Sequence, residues 1–400
     1  MLNVITTDEA IKILKNNFKK SEKKETVCID EALGRITAED VKSNEDVPSF
    51  SRSTMDGYAL IASDTYGSGE SIPAILTVTG EILMGEKAEL PIESGECVRI
   101  STGGMLPKGA DAVIPVESTA EENGECLVYK SVSPFENVTG KGDDVKSGEC
   151  IIKAGTVLFP AHIGLLASAG ILEISVIKKP SVGIISTGNE VIGIDEKLTD
   201  GKIREINSHE LSALCKSCGC ETVCYGIIRD EYENILAAVK KSVSENDITL
   251  ISGGSSAGAK DMTVKVIDEI GEVFAHGLAM KPGKPTIIGK VEDKAIFGLP
   301  GHPAACYFVT EIIVKQLINI LLGAERREYF TYCKLSENIS SNNGREDYIC
   351  VKTDNNGNAA PVYGKSGLIS TLCEADGYIK IGRNCEGLKR GETVAVYPLR

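Results

Sequence analysis

The sequence predicts a multidomain protein of mixed class, in which a central α/β domain lies between mostly β regions. Its 400 residues exceed what one hydrophobic core usually serves. Between residues 180 and 323, apolar strand-like runs alternate with helix-like segments, as in α/β units built on a mostly parallel sheet. On both sides of this region, short β-prone runs are separated by Gly, Pro, Asn and Asp clusters, which is typical of mostly β domains.

The charge and hydropathy of the chain narrow its range of partners. The net charge is −14 and the pI is about 5.0, so bulk electrostatics disfavour nucleic acid and anionic membranes, and we expect neither as a partner. An anionic small ligand would need a local basic pocket. The N-terminus lacks a signal-peptide pattern, and no uninterrupted apolar run reaches the roughly 20 residues of a bilayer span. Residues 312–322 are apolar-rich but include Lys315 and predict a buried helix, so we expect a cytoplasmic protein.

Local signals define the elements of the N-terminal half. Thr6 and Glu9 form a capping-box pattern that opens an apolar-periodic helix. Residues 25–138 carry short β-prone runs between turn residues and predict a compact, mostly β domain. Residues 139–175 add further turns and then a helix over 162–169.

The central region divides into alternating strands and helices, and a small β domain follows it. Strands are expected at residues 182–186, 222–228, 248–252 and 295–299. Helices are expected at about 208–217, 232–243, 262–270 and 304–322. Beyond Gly323, short strand patterns return at 348–352, 378–381 and 393–397.

Each of the four expected strands leads into polar or glycine-rich residues. These segments are 186–190, 229–230, 252–261 and 298–303. Because ligands bind at the carboxyl edge of open parallel sheets, we expect the segments to form one site. Glu190, Asp230 and Asp261 follow different strands, and their shared edge indicates Mg²⁺, which prefers carboxylate ligands. Each acid alone is typical of a helix N-cap or first turn.

The loop 281–285, Lys-Pro-Gly-Lys-Pro, is basic within an acidic chain. From residue 273 to residue 291 the sequence has three lysines and no carboxylate. Two prolines and a glycine stiffen the loop, which reduces the entropy lost when lysines bind a ligand. The pattern favours anion binding, and an exposed loop with solvated lysines is the alternative.

A second catalytic interpretation concerns Ser256. Residues 254–258 fit Gly-x-Ser-x-Gly, the nucleophile elbow of serine hydrolases, and Asp268 with His276 or His302 could complete a triad. However, helical periodicity begins near Asp261 rather than at the serine, and Asp268 lies in the middle of a helix. A hydrolase also leaves the lysine loop without a role. The hydrolase therefore remains the less favoured alternative.

The 13 cysteines are odd in number and form no disulfide framework, so we expect reduced thiols. Cys215, Cys218, Cys220 and Cys224 form a cluster with partial zinc-site spacing, but no His completes it. Buried small hydrophobic side chains are the favoured interpretation of this cluster.

Six motifs together carry a resemblance to a known family. They lie at residues 54–59, 101–104 with 109–113, 186–190, 252–254, 281–285 and 299–301. In this order and spacing they resemble the molybdopterin molybdenumtransferase family, which includes MoeA and the E domain of gephyrin. The resemblance covers nearly all of the chain.

The resemblance implies an elongated homodimer of four-domain subunits. The domains would be a segmented linker of residues 1–24 and 139–175, a mostly β domain of 25–138, an α/β molybdopterin-binding domain of 176–325 and a C-terminal β barrel of 326–400. The family reaction inserts molybdate into adenylylated molybdopterin, with Mg²⁺-dependent release of AMP. Other proteins of molybdenum-cofactor biosynthesis are further implied partners.

The resemblance also assigns roles to residues. Those implied to bind molybdate or phosphate are Lys281, Lys284, Pro285, Arg345 and Ser366. Those implied to bind the pterin are Gly253, Gly254, Ser255, Pro300 and Gly301. Those implied to be catalytic are Asp56, Thr102, Glu190, Asp230 and Asp261, the last three also as Mg²⁺ ligands. In the family's dimer, Asp56 and Thr102 would face the partner subunit's site.

The chain departs from the family pattern in three places. The family often has Asn-Pro-Val-Ser after Leu-Pro-Gly, whereas here the residues are His302, Pro303, Ala304 and Ala305. Asn189 stands where an acid is common, and Arg52 with Ser53 replaces a frequent Asp-Asn pair. These departures leave molybdate and tungstate open as substrates. A non-catalytic pterin-binding or scaffold protein is the remaining alternative function.

Overall fold

The computed structural model describes residues 4–253, 257–324, 329–364 and 369–399, without the side chains of residues 257–261. The chain forms two compact units. One consists of Thr26–Val176, and the other combines Met1–Glu25 with Ile177–Arg400.

The unit Thr26–Val176 is built on a six-stranded, mostly antiparallel sheet. In sheet order its strands are Ala112–Pro115, Gly57–Leu60, Glu96–Ile100, Ala74–Ile82, Glu125–Val128 and Thr119–Glu122. Successive strand residues face opposite sides, and both sides are buried: Tyr58 and Leu60 pack in one apolar cluster, and Ala59 packs in another. The mostly β architecture expected for this region is confirmed.

Short strand pairs and one helix complete this unit. The pairs are Arg52–Ser53 with Val138–Thr139, Val41–Lys42 with Cys150–Ile152, and Lys24–Cys28 with Glu173–Ile177. The helix Pro160–Ser168 has proline at its first position, where the missing N–H costs no hydrogen bond. Leu158, Leu166 and Ile174 form the apolar cluster beside it.

The second unit contains a six-stranded α/β sheet. In sheet order the strands are Glu221–Ile228, Ser181–Thr187, Ile248–Ser252, Lys294–Leu299, Ile287–Val291 and Glu272–His276. The first four are parallel, and the last two are antiparallel. The helices Asn207–Ser217, Tyr232–Glu245 and Ala257–Ile270 accompany the sheet, and Val191–Ile192 pairs with Ile203–Arg204 outside it. The four parallel strands match the expected ones.

The last two strands of this sheet were not expected, because the basic loop dominated the interpretation of residues 273–291. That loop is confined to the turn region between Glu272–His276 and Ile287–Val291. Ile287 and Ile288 are buried, and their side chains supply the apolar content that a core strand needs.

Two helices at the ends of this unit follow their sequence signals. The N-terminal helix Thr7–Asn17 has its capping box: the Thr6 hydroxyl accepts the Glu9 N–H at 3.2 Å, and Glu9 Oε2 accepts the Thr6 N–H at 2.8 Å. The expected helix over 304–322 is also present, as Pro303–Val309, a π-helical turn Thr310–Val314, and Lys315–Leu322. Gly323, at φ 64°, provides the left-handed C-cap that ends it.

By length and composition, Pro303–Leu322 is apolar enough to cross a membrane, and 56% of its apolar 18-residue window is buried within the protein. A core helix passes the same test. Here Leu317 and Ile318 are fully buried in the protein interior.

The C-terminal region forms a closed five-stranded barrel, which confirms the expected small β domain. Its strands in order are Glu346–Thr353, Asn358–Pro361, Thr331–Leu335, Thr393–Pro398 and Gly377–Ile381, and the last pairs with the first. The pair Ile339–Ser340 with Gly387–Leu388 and the helix Ser370–Glu374 lie outside the ring. A short strand from the α/β region, Met280–Lys281, adds in parallel to Glu346–Thr353.

Candidate functional site

The four parallel strands end at one edge of the sheet. Ser186 is in register with Ser252, and Ser252 is in register with Leu299. The segments that begin at Gly188, Arg229, Gly253 and Pro300 therefore leave the sheet at the same edge. The expected convergence of strand ends is confirmed.

Gly253 allows two of these strand ends to approach closely. Its φ is 131°, and a Cβ at this position would lie 2.1 Å from the carbonyl oxygen of Thr187. An alanine at this position would overlap backbone that cannot move independently of the sheet. Gly254 and Ser255, which were expected to bind the pterin with Gly253, lie outside the described residues.

A buried carboxylate that the sequence interpretation missed organises the same edge. Glu205 is 7% exposed, and it accepts hydrogen bonds from the Ser186 hydroxyl at 2.9 Å and from the Ser208 N–H at 2.7 Å. The Ser208 hydroxyl also donates to it. The available signal was an acid just before the helix Asn207–Ser217, because such acids cap helix N-termini.

Asn207 ties the start of that helix to the glycine after the fourth strand. Its Nδ2 donates to the Gly301 carbonyl at 3.0 Å. Its Oδ1 is buried without a hydrogen-bond partner among the described residues. Pro300 and Gly301, expected at the pterin site, are thus fixed at the sheet edge with one unused acceptor beside them.

Glu190 and Asp230 form a carboxylate pair at this edge. Burial, followed by the charge of Glu190, raises the pKa of Asp230, while hydrogen bonds from Thr187 and Asn189 act in the opposite direction. The Asp230 Oδ1 is buried and has no hydrogen-bond partner in the described part of the chain. A cation beside these oxygens would offset the repulsion between the two carboxylates and give the Asp230 Oδ1 a partner, so the pair fits Mg²⁺.

The third expected acid, Asp261, lies in the helix Ala257–Ile270, but its side chain is outside the described set. Within that set, no group of three His, Cys, Asp or Glu side chains is arranged to hold a metal. Glu190 and Asp230 are therefore the Mg²⁺ candidates whose side chains the structure places.

A cavity of about 920 Å³ lies between the basic loop, the start of the helix at Pro303 and the C-terminal barrel. Its lining includes Lys281, Lys284, Pro285, Pro300 and Arg345, all assigned to the site from sequence. The structure thus brings together residues that lie up to 64 positions apart in the chain. Ser366, the remaining residue of that expected group, lies beyond the described residues.

One backbone and one side-chain hydrogen bond hold the basic loop in place. Leu278 N–H donates to the Lys284 carbonyl at 2.9 Å, and the Thr286 hydroxyl donates to the Gly283 carbonyl at 2.7 Å. Gly283 has a φ of 121°, and a Cβ there would lie 2.7 Å from Val309 Cγ2. The loop is therefore a closely packed turn, in agreement with the stiffness that its composition predicts.

Asp347 is a cavity residue that the sequence interpretation missed. Its carboxylate lies 3.6 Å from Lys281 Nζ and 3.5 Å from Arg345 Nε. The available signal was an acid two residues after Arg345, at the start of the strand Glu346–Thr353.

His302 and Ala305, two of the departures from the family pattern, also line the cavity. His302 is the N-cap residue of the helix Pro303–Val309. These two departures therefore lie at the cavity wall, whereas Asn189, Arg52 and Ser53 do not line the cavity.

Asp56 and Thr102 contact each other in the unit Thr26–Val176. The Asp56 Oδ1 accepts the Thr102 N–H at 2.6 Å and the Thr102 hydroxyl at 2.9 Å. These bonds, the backbone one first, lower the pKa of Asp56. The pair is exposed and joins two loops of that unit.

The position of the helix Ala257–Ile270 bears on the serine-hydrolase alternative in two ways. The helix Ala257–Ile270 begins directly after Ser256, so the expectation that it starts near Asp261 is wrong. A helix start at Ala257 has a local reason in the sequence, because Ala257 and Ala259 are good helix formers. Ser256 itself is outside the described residues, and Asp268 is an exposed residue within the helix rather than at a strand end.

The cysteine cluster is mostly buried. Cys215, Cys218 and Cys220 are buried, as expected for small hydrophobic side chains, and burial raises the pKa of Cys215 to about 12. Cys224 departs from that expectation because it lies exposed on the edge strand Glu221–Ile228.

Three family models match the chain in succession. They are the MoeA N-terminal region (domain I and II) over residues 5–170, a probable molybdopterin binding domain over 183–319, and the MoeA C-terminal region (domain IV) over 332–399.

Full-length relatives agree with these matches. A putative molybdopterin biosynthesis protein of Methanocaldococcus jannaschii is 40% identical over 95% of this chain and 94% of its own length. A molybdopterin molybdenumtransferase of Staphylococcus aureus is 32% identical over 98% of this chain and 95% of its own. The crystal structure of a molybdopterin biosynthesis MoeA protein from Pyrococcus horikoshii superposes with a TM-score of 0.87 at 33% identity, covering 99% of this chain and 100% of that one. The chain therefore belongs to the MoeA family of molybdopterin molybdenumtransferases, which act in molybdenum-cofactor biosynthesis.

Proposed function

We propose that this protein inserts molybdate into adenylylated molybdopterin, with Mg²⁺-dependent cleavage of the adenylate and release of AMP. The observation that carries the proposal is the 920 Å³ cavity, which gathers Lys281, Lys284 and Arg345 in a chain of net charge −14. Molybdate is a tetrahedral dianion, and an acidic protein needs a local group of cations to bind it.

The cations of the cavity bind the oxyanion. Lys281 and Lys284 project from one turn, and Arg345 reaches the same space from the barrel. Charge-assisted hydrogen bonds from three cations offset the repulsion between molybdate and the phosphates of the second substrate. Pro285 shapes the turn that carries the lysines, and Ser366 is proposed to add a hydroxyl donor.

The pterin is proposed to bind at the sheet edge beside the cavity. Gly253 lets the backbone approach the end of the neighbouring strand closely, and Gly254 with Ser255 continues the sequence from there. Pro300 lines the cavity, and Gly301 is fixed by Asn207. This arrangement would place the dithiolene of the pterin within reach of the bound oxyanion.

Glu190 and Asp230 would hold Mg²⁺, with Asp261 as the third proposed ligand. When bound, the ion would neutralise phosphate charge and lower the pKa of a water molecule. The Asp230 Oδ1, which is buried and lacks a hydrogen-bond partner among the described residues, is suited to hold the ion or to orient that water.

The same proposal includes three further features. They are the four domains with the boundaries implied by the family, a homodimer, and a cytoplasmic location. In the dimer, Asp56 and Thr102 of one subunit act at the site of the other. Other enzymes of cofactor biosynthesis would supply the adenylylated substrate and accept the product.

The test is AMP release by purified protein given adenylylated molybdopterin, Mg²⁺ and molybdate. We expect release that depends on both ions and that falls sharply in Asp230→Ala and Asp261→Ala. Asp268→Ala is the matched control, because Asp268 is an exposed acid on the helix that carries Asp261. No AMP release by the wild type would contradict the proposal, and pterin binding without release would favour a scaffold function.

A further inference from the structure

Asp347 contributes a carboxylate to a cavity that is otherwise basic. Apart from Asp347 and His302, the charged lining residues among those the structure describes are Lys281, Lys284 and Arg345. Asp347 is 1% exposed. A buried negative charge repels an oxyanion, so its place in this cavity requires a function other than direct contact with that ligand.

The contacts of Asp347 place it between two of the cations. Its Oδ2 lies 3.6 Å from Lys281 Nζ and accepts a hydrogen bond from the Ser341 hydroxyl at 2.9 Å. Its Oδ1 lies 3.5 Å from Arg345 Nε, and neither of these two atoms has a hydrogen-bond partner among the described residues. Ser341 therefore fixes the carboxylate while the cations keep donors for a ligand.

The backbone fixes the same arrangement. The strand Met280–Lys281 pairs in parallel with Glu346–Thr353, so that Lys281 is in register with Asp347. The Glu346 N–H donates to the Ala279 carbonyl at 2.8 Å. The Glu346 side chain is itself held by Lys380 at 2.7 Å and by the Thr7 hydroxyl at 2.5 Å.

We propose that Asp347 is a positioning residue that holds Lys281 and Arg345 together for a tetrahedral dianion. It acts through the two cations and does not touch the anion. Three cations and one carboxylate leave two positive charges in excess, which match the charge of molybdate. The inference rests on the proposed function, since it assigns the organisation of the same cavity.

The test is molybdate binding by isothermal titration calorimetry with the full-length protein. Asp347→Asn keeps the side-chain shape and removes the negative charge. Simple electrostatics predicts tighter molybdate binding by this variant, because an anion site has lost a repelling charge. Positioning predicts the opposite, a Kd about tenfold higher, because Lys281 and Arg345 lose the group that orients them.

Ser341→Ala provides a variant with unchanged charge. It removes only the hydrogen bond to Oδ2, and we expect a Kd about threefold higher. This variant keeps the test informative if Asp347→Asn fails to fold, which circular dichroism and thermal unfolding would reveal.

A double-mutant cycle separates positioning from a general structural role. In a Lys281→Met background, Asp347→Asn should raise the Kd by clearly less than the tenfold expected in the wild type, because only Arg345 then remains of the two cations through which Asp347 acts. A structural role would produce additive losses. In AMP-release kinetics, Asp347→Asn should raise the KM for molybdate and leave kcat at saturating molybdate within about twofold of wild type.

Equal or tighter molybdate binding by Asp347→Asn, or an unchanged Kd for Ser341→Ala, would overturn the inference and leave the proposed function in place. Absence of molybdate binding by the wild type would overturn both. The wild-type titration therefore distinguishes the two failures.

Discussion

At the scale of single residues, burial determines which carboxyl groups depart from their behaviour in solution. Asp230 is half-buried beside Glu190, and both burial and that charge raise its pKa. Burial alone raises the pKa of Glu210 to about 8, and its Oε2 has no hydrogen-bond partner in the described residues. The ionised form of each group therefore destabilises the folded protein.

Glu210 predicts a specific dependence of stability on pH. Between about pH 4.5 and pH 8 the folded protein holds a proton on Glu210 that the unfolded chain has released, so stability falls as pH rises through this interval. We expect Glu210→Gln to raise the melting temperature relative to wild type by about 2–4 °C more at pH 9 than at pH 5. Differential scanning calorimetry at the two pH values measures this difference. The same shift at both pH values would show that ionisation of Glu210 is not its cause.

Asp230 predicts opposite effects on stability and activity. Because its pKa is raised, the ionised form destabilises the folded protein above the unfolded-state pKa, and Asp230→Asn should raise the melting temperature at pH 7 without Mg²⁺. AMP release should fall about a hundredfold or more, because a ligand and water-orienting group is lost. Wild-type AMP release by this variant would remove Asp230 from the site.

At the scale of secondary-structure elements, the site depends on how closely strand ends and loops approach. Gly253, directly after Ile248–Ser252, lies close to the Thr187 carbonyl at the end of Ser181–Thr187 because it has no side chain. The turn of the lysine loop packs on Val309 through Gly283 in the same way. The absence of a side chain at these two glycines therefore determines how closely the segments of the site can pack.

Gly253→Ala tests this view. The added Cβ would lie 2.1 Å from the Thr187 carbonyl in a backbone conformation that alanine rarely adopts. We expect a loss of about 1–3 kcal/mol in stability and weaker pterin binding. Gly382→Ala in the same unit is the control, since a Cβ added there would meet no atom within 4 Å and the φ of Gly382 is not positive. Equal tolerance of the two substitutions in thermal unfolding would contradict the account.

Elements were predictable from sequence where the signals are local. The capping box at Thr6 and the four parallel strands follow from side-chain pattern within a few residues. The pairing of Lys281 with Asp347 joins residues 66 positions apart, and no local pattern specifies that register. The role of Glu205 likewise depends on Ser186 in another element, so it emerges only once the chain is folded.

At the scale of the whole molecule, the proposed site residues belong to two compact units. Asp56 and Thr102 lie in Thr26–Val176, whereas the cavity and the Glu190–Asp230 pair lie in the other unit. The proposed homodimer assigns the first pair to the partner subunit's site. A complete site would then require two subunits.

Subunit complementation tests this assignment. Asp56→Ala and Lys281→Met homodimers should each be nearly inactive in AMP release. After the two proteins are mixed and their subunits exchanged, one intact site per heterodimer should restore up to about a quarter of wild-type activity. Subunit exchange is verified by native mass spectrometry. Exchange without any recovery would place Asp56 at the site of its own subunit.

The most direct test of the central claim is a crystal structure with bound molybdate, in which anomalous scattering locates the molybdenum. The account predicts one strong peak in the cavity, within hydrogen-bonding reach of molybdate oxygens for Lys281, Lys284 and Arg345, with Asp347 behind the cations and not in contact with the anion. A peak elsewhere on the chain, or direct contact between molybdate and Asp347, would contradict it.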